Sequence, residues 1–192
     1  MIFLYLQIMI RTNIISFVLL FAMPGIAQSA LGQNTYRSKD GSLSVTIVYQ
    51  GQLITAHTKK VHVSLDYETS AFVFRLAPAD LHTGIDSLDR KLSRQTTNFV
   101  LKGNFGLSEI RTTQHPPQDF LFSGTLVTGQ GKKTEISGTG RLEHIDGGEE
   151  MACELAAYFD TTPDAIGIES KEGERTVKVQ FYKTILKRYT TY

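Results

Sequence analysis

The stretch Phe120-Leu121-Phe122-Ser123-Gly124-Thr125-Leu126-Val127, followed after a turn by Thr134-Glu135-Ile136-Ser137-Gly138-Thr139-Gly140-Arg141-Leu142, repeats with period two. That is the period of a strand with one buried face, not of a helix. Phe120, Phe122 and Leu126 fall on one side, opposite Asp119, Ser123 and Thr125. In the second run Ile136 and Leu142 alternate with Glu135, Ser137, Arg141 and Glu143, and Gly138 and Gly140 share the apolar phase. The joining Gly129-Gln130-Gly131 supplies the turn of an antiparallel hairpin.

The same alternation extends in both directions. Upstream it takes in Leu43, Val45, Ile47 and Tyr49, then Val61, Val63, Leu65 and Tyr67, then Phe72, Phe74 and Leu76. Phe99, Leu101, Phe105 and Leu107 complete that half. Downstream come Met151, Cys153, Leu155, Ala157 and Phe159, and finally Val177, Val179, Phe181 and Ile185. Turn signals separate the runs at Gln50-Gly51, Ala77-Pro78, Pro116-Pro117, Asp146-Gly147-Gly148 and Lys171-Glu172-Gly173-Glu174. One stretch changes period. Ile85, Leu88 and Leu92 recur at three and four, with acids early and bases late, which predicts a short helix. A second, shorter turn is expected around Pro163-Asp164-Ala165-Ile166.

About eight antiparallel strands, each with one apolar face, predict an all-β domain. A sandwich and a closed barrel both bury such faces. The Phe residues at 72, 74, 99, 105, 120, 122, 159 and 181 all lie on the apolar phase. They fill a small core or line an apolar cavity. Gly103, Gly124, Gly138 and Gly140 share that phase, which marks either curvature or room for a ligand.

The N-terminus reads differently. Arg11 is the only charge before Leu31, and it precedes the apolar run from Ile14 to Met23, the breakers Pro24 and Gly25, and small residues to Ala30. These are the parts of a secretory signal peptide, and the apolar run is shorter than the ~20 residues of a membrane span. The start is Met1 or Met9, and cleavage is expected near Ala27 to Ser29. The expected organisation is a signal peptide over 1–29, a loose segment over 30–42 and a β domain over 43–192. Removing the leader leaves 19 basic against 19 acidic residues. That balance has no basic excess for nucleic acid. The single cysteine, Cys153, excludes a disulfide framework and a Cys-rich zinc site, and reads as a small buried hydrophobe.

No assembled catalytic motif is present. Gly129 to Thr134 lacks the earlier Gly and the following helix of a phosphate loop, and reads as a hairpin turn. His57 and His62 lie on opposite faces of a continuous strand, so only a bulge near Lys59-Lys60 would align them. His144 and Asp146 read as a solvated strand end, and Asp86 near His82 as a helix-start charge. Charges of both signs alternate along the outer faces, and Lys183, Lys187 and Arg188 read as a solvated strand end. No cofactor and no metal site is expected.

From about Ile54 to Lys187 the order of features resembles the YceI-like family of exported bacterial proteins. The local likeness is the run from Phe120 to Val127, the Gly turn, Lys132-Lys133, and the strand from Thr134 to Gly138. Gly131 stands where the family hairpin usually has Thr, and the helix region is short. The resemblance implies an eight-stranded lipocalin-like barrel with a helix and a polyisoprenoid chain in its lumen. The leading expectation is therefore a non-enzymatic, periplasmic or extracellular protein that binds a long apolar molecule, isoprenoid or lipid-like. Phe72, Phe74, Phe99, Leu101, Phe105, Phe120, Phe122 and Leu126 are the expected ligand contacts. The alternatives are a filled-core envelope or stress-related protein acting through its surface, and a hydrolase using His57, His62 or His144 at the barrel mouth.

Overall fold

Half-buried strands expose unpaired backbone at each sheet edge, and closing the sheet removes both edges at once. The chain takes that solution. A computed structural model describes residues 35–49, 51–111, 116–129, 131–145, 152–166 and 176–188. The strands are β1 (Thr35–Tyr49), β2 (Gln52–Asp66), β3 (Ala71–Leu76), β4 (Phe99–Phe105), β5 (Gln118–Val127), β6 (Lys133–Ile145), β7 (Ala152–Thr161) and β8 (Val177–Arg188). They form a closed barrel in sequence order, with β1 pairing back onto β8 and every neighbour antiparallel. The barrel, not the sandwich, is the architecture. The expected signal peptide, Met151, and the turns expected at 146–148 and 171–174 lie outside the described residues.

The one α-helix among the described residues, α1 (Asp86–Ser93), follows a 3-10 turn at Pro78–Asp80 and sits where β3 hands over to β4. None of its side chains is fully buried, though Leu88 and Leu92 pack against the core. Thr83 ties down its first turn. The Thr83 amide and hydroxyl both donate to Asp89 Oδ1, at 2.7 and 2.6 Å, and the Ile85 amide donates to Thr83 Oγ1 at 3.1 Å. The two bonds from Thr83 hold the Asp89 carboxyl below its ordinary pKa range. A lowered folded-state pKa stabilises above the unfolded value and is lost as pH falls through the folded one. Protection factors of the α1 amides, the exchange rates taken relative to their intrinsic values at each pH, should therefore fall on acidification below the ordinary carboxylate range. In Asp89→Asn they should be low throughout, with that pH step gone.

Three features depart from simple alternation. β1 starts at Thr35, so the part of the expected loose segment from Thr35 to Ser42 is ladder: Tyr36 pairs with Leu65 and Arg188 and is buried. β8 carries an extra residue at Lys183, whose φ is 48°, so the phase flips there. Thr184 and Leu186 turn inward, and Ile185, expected inside, is only half-buried. β2 bulges at Lys59-Lys60 and β1 at Lys39-Asp40. Gly41 lies where the three irregular strands meet. A Cβ there would stand 3.0 Å from the Val61 carbonyl and 3.1 Å from Thr184 Oγ1.

The inward glycines have a specific use. Phe72 pairs with Gly103, Phe122 with Gly138 and Phe120 with Gly140. A Cβ on Gly138 or Gly140 would meet the ring of its Phe partner at 2.7 or 2.2 Å. The space above these glycines is taken by cross-strand aromatic rings, an arrangement that curves and fills a barrel wall.

Candidate functional site

The barrel interior divides into two unlike halves. Toward the end opposite α1, the rings pack on one another. Phe72 lies 4.7 Å from Phe74 and 4.9 Å from Phe105, and Phe105 stacks 4.0 Å from Phe120. Phe72 and Phe122 meet edge-to-face at 5.6 Å. At these separations the rings are in direct contact with one another.

Toward α1 the packing opens into a cavity of about 70 Å³. Its wall consists of Leu43 and Val45 from β1, Val61 from β2, Phe74 and Leu76 from β3, Leu101 from β4, Leu126 from β5, Phe159 from β7, and Val179 and Phe181 from β8. Leu81, Phe99 and Ile166 close the mouth. The surface is wholly hydrocarbon, so the site recognises shape and apolar area and offers no hydrogen bond. Its volume is well below the roughly 300–1,000 Å³ of a typical small-molecule pocket.

A second hollow adjoins it. A groove of about 240 Å³ runs between the segment Arg94–Thr97 and the β5–β6 hairpin, and Phe99 and Ile166 line it as well as the cavity. These two side chains are the partition between outside and inside. The hairpin with the Gly129-x-Gly131 spacing is a turn, as its sequence implies. Gly131 has φ 74° and its amide donates to the Thr128 carbonyl at 2.8 Å. Gly129 lets the turn approach Thr97, whose Cβ would lie 3.0 Å from an added methyl.

Of the expected contacts, Phe74, Phe99, Leu101 and Leu126 line the cavity, whereas Phe72, Phe105, Phe120 and Phe122 belong to the packed aromatic half. Val45, Val179, Leu81 and Ile166 line it too. The first two lie on the apolar phase of their strands. The last two come from loops, where periodicity carries no signal.

The polar candidates do not converge. The β2 bulge does turn both His57 and His62 outward, but along one strand they stand about 15 Å apart at ~3.3 Å per residue. His57 instead exchanges backbone hydrogen bonds with His82. His144, expected at a solvated strand end, is half-buried and faces Cys153 across the β6–β7 ladder. Cys153 is buried, as its alternation with Leu155 implies, and burial pushes its thiol pKa up. That is the opposite of an activated nucleophile. Beside it the stacked Tyr36 and Tyr67 rings, 3.8 Å apart, plug the end away from α1, and burial keeps the Tyr67 phenol protonated. Among the described residues no three His, Cys, Asp or Glu side chains gather as around a metal ion.

A closed eight-stranded antiparallel barrel with one capping helix and an apolar interior can be compared with solved structures. A polyisoprenoid binding domain from Saccharophagus degradans, implicated in plant cell wall breakdown, superposes with a TM-score of 0.60 over 82% of this chain and 99% of that domain. BcnA of Burkholderia cenocepacia does so with a TM-score of 0.53 over 76% and 95%. The chain has their fold. The identities are 11% and 10%, so the likeness is one of architecture. It is the lipocalin-like barrel that the resemblance to the YceI-like family implied. No family profile and no curated protein sequence matches the chain.

Proposed function

We propose that the chain is an exported, non-enzymatic YceI-like binding protein that holds a long apolar molecule, polyisoprenoid or lipid-like, in the barrel. The observation that carries this is the hydrocarbon-lined cavity whose partition, Phe99 and Ile166, also faces an outer groove. The polyisoprenoid-binding neighbour of the same fold and the leader-like N-terminus support it. Binding would be driven by apolar area removed from water, at roughly 25 cal/mol per Å² before association costs. At about 70 Å³ the cavity is a closed form. A long chain enters as Phe99 and Ile166 swing outward, contacts Phe74, Leu101 and Leu126 first, and reaches Phe72, Phe105, Phe120 and Phe122 only by parting the aromatic stack.

The packed aromatic half favours a second reading, a filled-core protein that acts through its surface. One experiment separates the two. The purified protein is mixed with a long polyprenol and followed by native mass spectrometry and thermal unfolding. Saturation at 100 times Kd adds about 2.7 kcal/mol, or roughly 5–10 °C in Tm for a domain this size. Leu126→Trp, which fills the cavity, should abolish both the adduct and the shift while keeping the strand circular dichroism. No adduct and no shift with polyprenol or with fatty acid would leave the filled-core reading standing.

A further inference from the structure

We infer that the outer wall formed by β8, β1, β2 and β3 is a docking surface for the anionic headgroups of a lipid membrane. Barrel closure assembles it from distant parts of the chain. Arg37, Lys39, His62, Arg75, Lys187 and Arg188 line one groove of about 650 Å³, and among the described residues no Asp or Glu lines it. Arg37 pairs with Lys187 on one side and with Ser64 on the other, Ser64 pairs with Val73, and His62 pairs with Arg75. The basic residues thus spread across four neighbouring strands, a patch about 15 Å wide at ~4.8 Å per strand.

Like charges directly opposite in an antiparallel ladder are unfavourable. Elsewhere in the ladder Asp119 faces Arg141 and Asp160 faces Lys178, while Glu143 faces Glu154. On this wall Arg37 faces Lys187, two positive charges. The whole chain carries a formal charge of only +1, so the groove reflects segregation of charge, not an excess of it. An anionic partner has a use for that segregation.

The spread of the cations selects the partner. A single phosphate needs donors converging on one point. This array spans a width that meets several phosphates side by side, as a bilayer surface presents them. The purpose, though not the docking, rests on the binding function proposed above: a long apolar ligand is exchanged at membranes because water does not hold it. The groove lies toward the end opposite α1, so docking there leaves the mouth at Phe99 and Ile166 uncovered.

The test is flotation of the purified protein with vesicles of phosphatidylcholine alone and of phosphatidylcholine mixed with phosphatidylglycerol. Binding is expected only to the second, and it should fade as salt shortens the screening length from about 10 Å at 0.1 M to about 3 Å at 1 M. Lys39→Gln with Arg75→Gln and Lys187→Gln, all exposed positions, should weaken partitioning roughly a hundredfold. Lys91→Gln with Lys132→Gln and Lys133→Gln removes the same charge at the α1 end and should leave partitioning nearly unchanged. Equal binding to neutral vesicles, equal loss in both triple variants, or release by inorganic pyrophosphate at constant ionic strength would overturn the inference. So would tighter binding to a DNA duplex than to the anionic vesicles. These vesicles hold no polyprenol, so failure of the ligand experiment leaves this result unaffected.

Discussion

Gly103→Val is expected to leave no folded barrel, and Gly103→Ala to cost about 3 kcal/mol or more, the upper end of overpacking in a close-packed core. A Cβ on Gly103 would stand 2.1 Å from the Ser123 carbonyl oxygen, 2.7 Å from Gly124 Cα and 2.8 Å from Phe72 Cζ. Two of those three atoms are backbone of β5, which is held by its own ladder to β6. Relief requires opening the β4–β5 pair or expelling Phe72. Gly51→Ala is the control. Nothing lies within 4 Å of its added methyl, and only the φ of 76° opposes it. That conformational cost is about 1–2 kcal/mol. Urea unfolding followed by far-ultraviolet circular dichroism checks all three. A Gly103→Ala variant as stable as Gly51→Ala would show that the β4–β5 contact yields.

Phe72→Ala should destabilise by about 3–5 kcal/mol, as large-to-small changes at buried aromatic positions do. Phe72 is 1% exposed and contacts Phe74, Phe105 and Phe122 as well as the Gly103 backbone. Because Gly103 has no side chain to move into the void, the site collapses poorly and the loss belongs at the upper end. For a domain of this size that is a fall in Tm of roughly 6–20 °C. The new void would adjoin Phe74, which already lines the cavity, so a small aromatic such as benzene should restore part of the lost stability. Leu121→Ala, at a side chain 70% exposed, should change Tm little. A Phe72→Ala variant that is no less stable than Leu121→Ala would overturn the packed-half description.

The strands and their phase were legible because period-two alternation is a local property. Phe72, Phe74, Phe120, Phe122, Leu142 and Leu155 are inside where the pattern puts them. The helix was legible for the same reason, and so was the 3-10 turn at Pro163–Ile166. The misreadings fall where locality fails. Lys183 inserts one residue and inverts the phase after it, so Thr184 is buried and Ile185 is not. Thr35 to Ser42 joins the ladder because β2 and β8 offer it partners on both sides, although its own sequence is polar.

Taken by itself, the sequence determined that this is an antiparallel β protein with one apolar face per strand and a short helix. It also determined which residues are inside, except at Tyr36, Thr184 and Ile185, where the ladder partners and the β8 bulge override the local pattern. The depth of the cavity, and which of those residues border it, were decided only by the tertiary structure. Whether an inward Phe lines a space or fills it depends on its cross-strand neighbour: Phe72 stands over Gly103 and is packed, and Phe74 stands beside Leu101 and borders the void. Charge obeys the same rule. Arg37, Arg75 and Lys187 are scattered along a balanced chain, and only closure of β1 onto β8 brings them to one wall. Burial follows from a residue's own chemistry and phase, whereas void and field are sums over neighbours that the chain order does not list.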